Sequence, residues 1–164
     1  MNRIQVALDW LLPLLRENQI PFYVTGGFAA HLYGATRPIN DIDIDVPAEA
    51  IESCIAAARA FIESPLQRYE DSTWKMFCVT LNYEGQLIDL STDADPRVHN
   101  KTTGEWDQLE MKFDDIVWIH AYGHDIPVQN PLDLMSYKLK IRYDEEKHLS
   151  DAAAIEACLS HRQK

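Results

Sequence analysis

The sequence predicts an α+β fold in which a small set of strands is flanked by helices, with two further helices at the C-terminal end. Three features carry this expectation. Pro21-Phe22-Tyr23-Val24-Thr25 is a short aromatic and β-branched run that ends at Gly26-Gly27, as a buried strand running into a tight turn would. Asp41-Ile42-Asp43-Ile44-Asp45-Val46 alternates acid with aliphatic residue, which is the period of a strand. Apolar runs over 76–83 and 86–91 are separated only by Glu84-Gly85, the spacing of a hairpin.

Ile4 to Leu15 places Val6, Leu8, Leu11, Leu12 and Leu15 at helical spacing, and Pro13 implies a bend or an early end. Phe28 to Tyr33 forms a helix after the glycine pair and stops at Gly34, a residue that suits the end of a helix. Pro47 opens a helix over about 48–63 with Ile51, Ile55, Ala58 and Ile62 as its inner stripe. Residues 93–104 read as polar and irregular. Ile116 to Tyr122 and Ile126 to Val128 pair around Gly123, and 131–143 and 147–160 form the terminal helices. No repeat, low-complexity run or linker divides the chain. It reads as a single domain over 1–164, with a core of about 20–128 and C-terminal helices at about 130–162.

At 164 residues and 46% hydrophobic content, the chain can bury a core without disulfide or metal staples. Cys54, Cys78 and Cys158 are odd in number and widely spaced, so they read as reduced core thiols. The apolar stretches fall short of the ~20 residues that cross a bilayer, and the expectation is a cytoplasmic protein without a membrane partner. A net charge of −11 works against long nucleic acid, which is bound through lysine and arginine contacts. A neutral or cationic small molecule suits it better. The acids Asp93, Asp95, Glu105, Asp107, Glu110, Asp114 and Asp115 either form a solvated rim or line a pocket that attracts an amine.

On a strand, Asp41, Asp43 and Asp45 share one face while Ile42, Ile44 and Val46 share the other. Carboxylates set this closely repel unless they protonate, face water or hold a cation. A hard divalent cation is the informative option. Gly26 and Gly27 would let backbone approach an anion at the N-terminus of the following helix. An anion site one connection from a cation site fits a metal-bound nucleoside triphosphate. The plainer alternative is a tight turn beside the solvated face of an acidic edge strand.

With these residues in this order, the chain resembles the nucleotidyltransferase superfamily that includes DNA polymerase beta. That family places a Gly-Gly or Gly-Ser pair at the start of a helix, then Asp-x-Asp on a strand, then a third carboxylate on a later strand. Here the positions are Gly26-Gly27, Asp41 with Asp43, and Asp89 in Gln86-Leu87-Ile88-Asp89-Leu90. The run from Gly34 through Arg37 to Asp43 is similar to small bacterial, including toxin-type, nucleotidyltransferases, and the triple aspartate is similar to lincosamide and aminoglycoside nucleotidyltransferases.

The resemblance implies a nucleotidyltransferase-like mixed β-sheet with flanking helices. It implies an enzyme that moves a nucleoside monophosphate from a nucleoside triphosphate to a hydroxyl acceptor, with a small molecule expected as that acceptor. Asp41, Asp43 and Asp89 become the catalytic residues and the ligands of Mg²⁺ or Mn²⁺, Asp89 also accepting the proton. Gly26, Gly27, Arg37 and Lys138 become the nucleotide-binding residues. Asp45 is surplus to the pattern and reads as a solvent-facing acid. The alternative the resemblance leaves open is a catalytically silent module that binds a protein partner, as in a toxin–antitoxin pair.

Other readings stay closer to the surface. Arg37 could instead pair with Asp41 or Asp45, and Lys140 reads as exposed. His120 and His124 suit a turn or edge better than a metal, and His31 reads as a satisfied, partly buried histidine. Trp10 and Trp118 read as core, and Trp106 as the tryptophan able to stack on a ligand.

Overall fold

A computed structural model describes residues 2–142 and 145–162, which form nine strands and five α-helices. The helix predicted over 131–143 thus ends on a residue, Tyr143, outside the described ones.

The first helix, α1 (Arg3–Glu17), is capped by Asn2, whose side chain accepts the Ile4 N–H at 3.0 Å. It runs through Pro13 to Glu17, so the early end does not occur. Ala7, Leu8, Leu11, Leu12 and Leu15 are fully buried on one side of it, each leucine contributing roughly 2 kcal/mol by burial. Next come β1 (Tyr23–Thr25), α2 (Gly26–Leu32) and β2 (Asp41–Val46), so the glycine pair forms the first turn of α2 rather than preceding it.

The helix expected over 48–63 is shorter. A 3₁₀ turn at Ala48–Ala50 leads into α3 (Ile51–Ala57), and a second at Arg59–Phe61 leads into β3 (Ile62–Glu70). Ile62 therefore opens a strand instead of completing a helical stripe. The change happens where Phe61 packs edge-on against Trp10 and Tyr83, at centroid separations of 4.8 and 4.9 Å. β3 pairs antiparallel with β4 (Trp74–Tyr83), with register shifts between Ile62 and Gln67. Pro65 lies in that irregular stretch, as expected for a residue with no N–H to give to the ladder.

β5 (Gln86–Thr92) completes the predicted hairpin with β4. Within and after the segment read as irregular, β6 (Arg97–His99) and β7 (Trp106–Gln108) form two three-residue strands. They are too short to show a period. β8 (Ile116–Ala121) and β9 (His124–Gln129) make the second hairpin. The chain closes with α4 (Pro131–Ser136), a wide π-helical turn at Tyr137–Ile141, and α5 (Glu146–Arg162).

The sheet runs β7-β6-β4-β5-β2-β1-β9-β8, with β3 paired to β4. It is mixed, because β2–β5 and β1–β9 are parallel and the other pairs antiparallel. In the β2–β5 ladder Ile42 stands beside Ile88 and Ile44 beside Leu90, and these join the α1 leucines in the core. The opposite face of the same two strands carries the acids. Trp10 stacks on Tyr83 at 4.3 Å against the core. Trp118 does not: it is 61% exposed on β8, at the end of the sheet order, where alternation turns it away from Val117 and Ile119. No helix among the described residues is long and apolar enough to cross a membrane.

Candidate active site

Parallel pairing of β2 with β5 sets Asp43 directly beside Asp89, and Asp41 follows on the same face of β2. One carboxylate oxygen from each of the three lies within 4.8 Å of the others. Burial, then the charges of Asp41, Asp89 and Asp45, pushes the Asp43 carboxyl up to about 7, against a hydrogen bond from the Gly27 N–H. Burial and the Asp41 charge also raise Asp89, against a 2.6 Å hydrogen bond from the Thr80 hydroxyl. An all-carboxylate donor set on neighbouring strands, with more negative charge than the site itself balances, fits a hard divalent cation.

The two glycines serve that cluster directly. Gly26 adopts φ +63°, and a Cβ there would lie 2.0 Å from Asp43 Oδ2. A Cβ on Gly27 would lie 2.1 Å from Arg37 Nη2. The absent side chains also serve the site's own residues: Gly26 admits an aspartate and Gly27 a guanidinium.

Asp45 is not solvent-facing. It is 5% exposed, bonded to the Tyr23 phenol on β1, and its carboxyl is pushed up to about 7 by burial and by Asp93 despite that bond. Burial, and then the Asp45 charge and bond, push the Tyr23 phenol up.

A basic wall faces the acids. Arg37 reaches neither Asp41 nor Asp45 as a salt-bridge partner. Its Nε donates to the two carboxylate oxygens of Asp151 at 2.9 and 3.1 Å, while Lys138 Nζ donates to Asp151 Oδ2 at 2.8 Å. Asp151 on α5 is fully buried and Lys138 is 1% exposed. Burial works against the Asp151 charge, but the bonds from Arg37 and Lys138 prevail and hold its carboxyl below the usual range. Burial and the Arg37 charge lower the Lys138 ammonium, against the pull of Asp151. Lys138, four residues after the buried Leu134 and within the π-helical turn, points inward, and Lys140 is exposed as expected.

Acids and cations line the same cleft of about 630 Å³. Sequence reasoning passed over several of its residues: Trp74, Tyr137, Arg142, Lys147, His148 and Asp151's part in the wall. Asp151 had a signal, since it is an acid running into Ala152-Ala153-Ala154, the same pattern of an acid in apolar company that marked Asp89. Trp74, tilted against Tyr137 at 5.6 Å, lines the cleft. Trp106 does not, its ring being covered by the Lys75 ammonium at 4.4 Å. Of the acids between 93 and 115, Glu110 lines the cleft, while Asp93, Asp95, Asp107 and Asp115 bond to Ala48, Arg97, Asn100 and Asn130.

The remaining candidates are settled locally. His120 bonds to Asp125 and His124 to Asp9 around the β8–β9 turn, and His31 joins the Ala35 carbonyl to the Tyr122 hydroxyl. The three cysteines are free, Cys54 buried, Cys158 against the core and Cys78 on the cleft.

No family model and no curated protein matches the chain. Solved structures do. A Thermotoga maritima protein provisionally assigned as a nucleotidyltransferase is similar at TM-score 0.66 and 17% identity, over 98% of this chain and 91% of that one. The antibiotic-resistance factor ANT(2'')-Ia, solved with adenylyl-2''-tobramycin, is similar at TM-score 0.64 and 15% identity, over 99% and 92%. The lincosamide antibiotic adenylyltransferase LnuA, solved with lincomycin, is similar at 0.61 and 15%, over 93% and 96%. The chain has the nucleotidyltransferase fold.

Proposed function

We propose that the protein is a metal-dependent nucleotidyltransferase that moves a nucleoside monophosphate from a nucleoside triphosphate to the hydroxyl of a small molecule. The observation that carries this reading is the confrontation of two walls across one cleft: Asp41, Asp43 and Asp89 on one side, Arg37, Lys138, Arg142 and Lys147 on the other. A ligand that is both metal-bound and polyanionic satisfies both. Mg²⁺ or Mn²⁺ held by Asp41, Asp43 and Asp89 would supply Lewis-acid charge at the phosphate and lower the pKa of the acceptor hydroxyl.

The chain's own groups do the rest in this reading. Asp89, one oxygen fixed by Thr80, takes the acceptor proton through the other. Arg37, lying over Gly27 and steadied by Asp151, counters phosphate charge at the start of α2. Lys138, buried behind Arg37, adds charge to the same wall. A small acceptor agrees with the net charge of −11 and with the lincomycin and adenylyl-2''-tobramycin held by LnuA and ANT(2'')-Ia.

The test is a turnover screen of the purified protein with each labelled triphosphate, Mg²⁺ or Mn²⁺, and pools of aminoglycosides, lincosamides, proteins and transfer RNA. Transfer to a small molecule with release of pyrophosphate is expected, and Asp43→Asn should abolish it. Triphosphate binding without turnover on any acceptor would leave a silent module in its place.

A further inference from the structure

The C-terminal wall of the cleft holds two buried groups whose hydrogen-bonding capacity is unused. His148 is 7% exposed, and neither ring nitrogen has a hydrogen-bond partner among the described residues. Arg142 is equally buried and leaves Nε unbonded while a terminal nitrogen pairs with Glu145. Both line the cleft. Leaving buried polar groups unsatisfied is costly, a penalty that a ligand arriving in the cleft would remove.

The surrounding charge specifies the sign of that ligand. Among the described residues Arg37 and Lys138 pair with Asp151, and Arg142 and Lys147 with Glu145, while Asp71 adds its charge near Arg142. Glu145 is engaged by Arg142 and by Lys147 at 3.0 Å, and stands 3.8 Å from His148 Nε2, beyond a hydrogen bond. Burial and the charges of Lys138, Arg142 and Lys147 hold the His148 imidazole down to about 3, so it presents one N–H without adding charge. The Tyr137 ring stands edge-on to it at 6.1 Å. Arg37 and Lys138 direct nitrogens at Asp151, whereas Arg142 Nε and the His148 ring nitrogens have no hydrogen-bond partner among the described residues.

We propose that Arg142 and His148 form a subsite for the distal phosphates of a triphosphate, and for the pyrophosphate that leaves. This rests on the nucleotidyl-transfer reading and deepens it: the phosphate contacts expected of Lys138 are shared by residues further along the chain, and Lys138 serves partly as the internal counter-ion of Asp151.

The experiment is calorimetric titration of the full chain with inorganic pyrophosphate in EDTA at low salt. Binding is expected, with Arg142→Gln and His148→Gln each weakening it by about tenfold, as loss of a charged or buried hydrogen bond requires, and Lys140→Gln leaving it unchanged. In the wild-type protein with ¹⁵N-labelled histidine, pyrophosphate should move the His148 ring nitrogens and leave those of His161 in place, a readout that does not depend on any variant folding. No binding without metal, wild-type affinity in both variants, or a His148 resonance indifferent to pyrophosphate would overturn the subsite. Since neither metal nor turnover is involved, pyrophosphate binding in a protein that transfers nothing would sink the transferase reading and spare the subsite. Active transfer with Arg142 and His148 indifferent would do the reverse.

Discussion

At Asp43 burial, three neighbouring carboxylates and one backbone N–H act on a single side chain. Replacing it by asparagine removes the like-charge repulsion together with a metal donor, so function and stability should move in opposite directions. Asp43→Asn should bind Mn²⁺ with a non-hydrolysable triphosphate about tenfold more weakly by calorimetry, yet melt higher than wild type in EDTA near neutral pH. Unchanged affinity would remove Asp43 from the metal site. Asp89→Asn should keep the bound triphosphate while transfer falls about a hundredfold, the size of lost general-base help; full activity in that variant would reassign the base. Asp41 and Asp43 were legible in the sequence because a strand's two-residue period puts them on one face, and Asp89 because it is a lone acid in an apolar run. Asp45 shares that period, and its burial was not legible: it depends on Tyr23 standing opposite in the β1–β2 ladder, a pairing that no local pattern reports.

The elements were legible where a period ran long enough. α1, the β4–β5 hairpin and β2 declare themselves; β6 and β7, three residues each, do not. The end of α3 was misread because Ile62 continues a helical stripe by coincidence, while the docking of Phe61 on Trp10 and Tyr83 decides the chain's direction. Lys138 was legible as an inward lysine, but its partner was not, since Asp151 lies on the next helix. That ion pair ties the π-helical turn to α5 and, through Arg37, to the first turn of α2. Asp151→Ala should therefore cost about 3–5 kcal/mol in chemical denaturation, the penalty for stranding a buried lysine. Adding Lys138→Met to it should recover much of the loss, because Arg37, 28% exposed, can still reach water. Equal instability of the single and double variants would show that the pair is not what joins these elements.

For the whole molecule, the buried acids set a pH dependence. Asp43 and Asp45 sit at about 7 in the fold against an ordinary 3.8, so the folded chain holds protons that the unfolded chain releases. Stability from these groups is full below the unfolded value and falls as pH rises through the folded one. In EDTA the melting temperature should drop between roughly pH 4 and pH 7, and Mn²⁺ should remove the share of Asp43 while leaving that of Asp45. A flat profile in EDTA would contradict the raised carboxyls of both. The parallel register of β2 and β5 has one more consequence, and it concerns time. The two strands are separated in sequence by α3, β3 and β4, so the cluster of Asp41, Asp43 and Asp89 does not exist until a long loop has closed, a slow event in parallel pairing. A cation that needs all three acids cannot guide the chain to its fold. It can only retain the chain there, so Mn²⁺ should slow unfolding while leaving the refolding rate where it was.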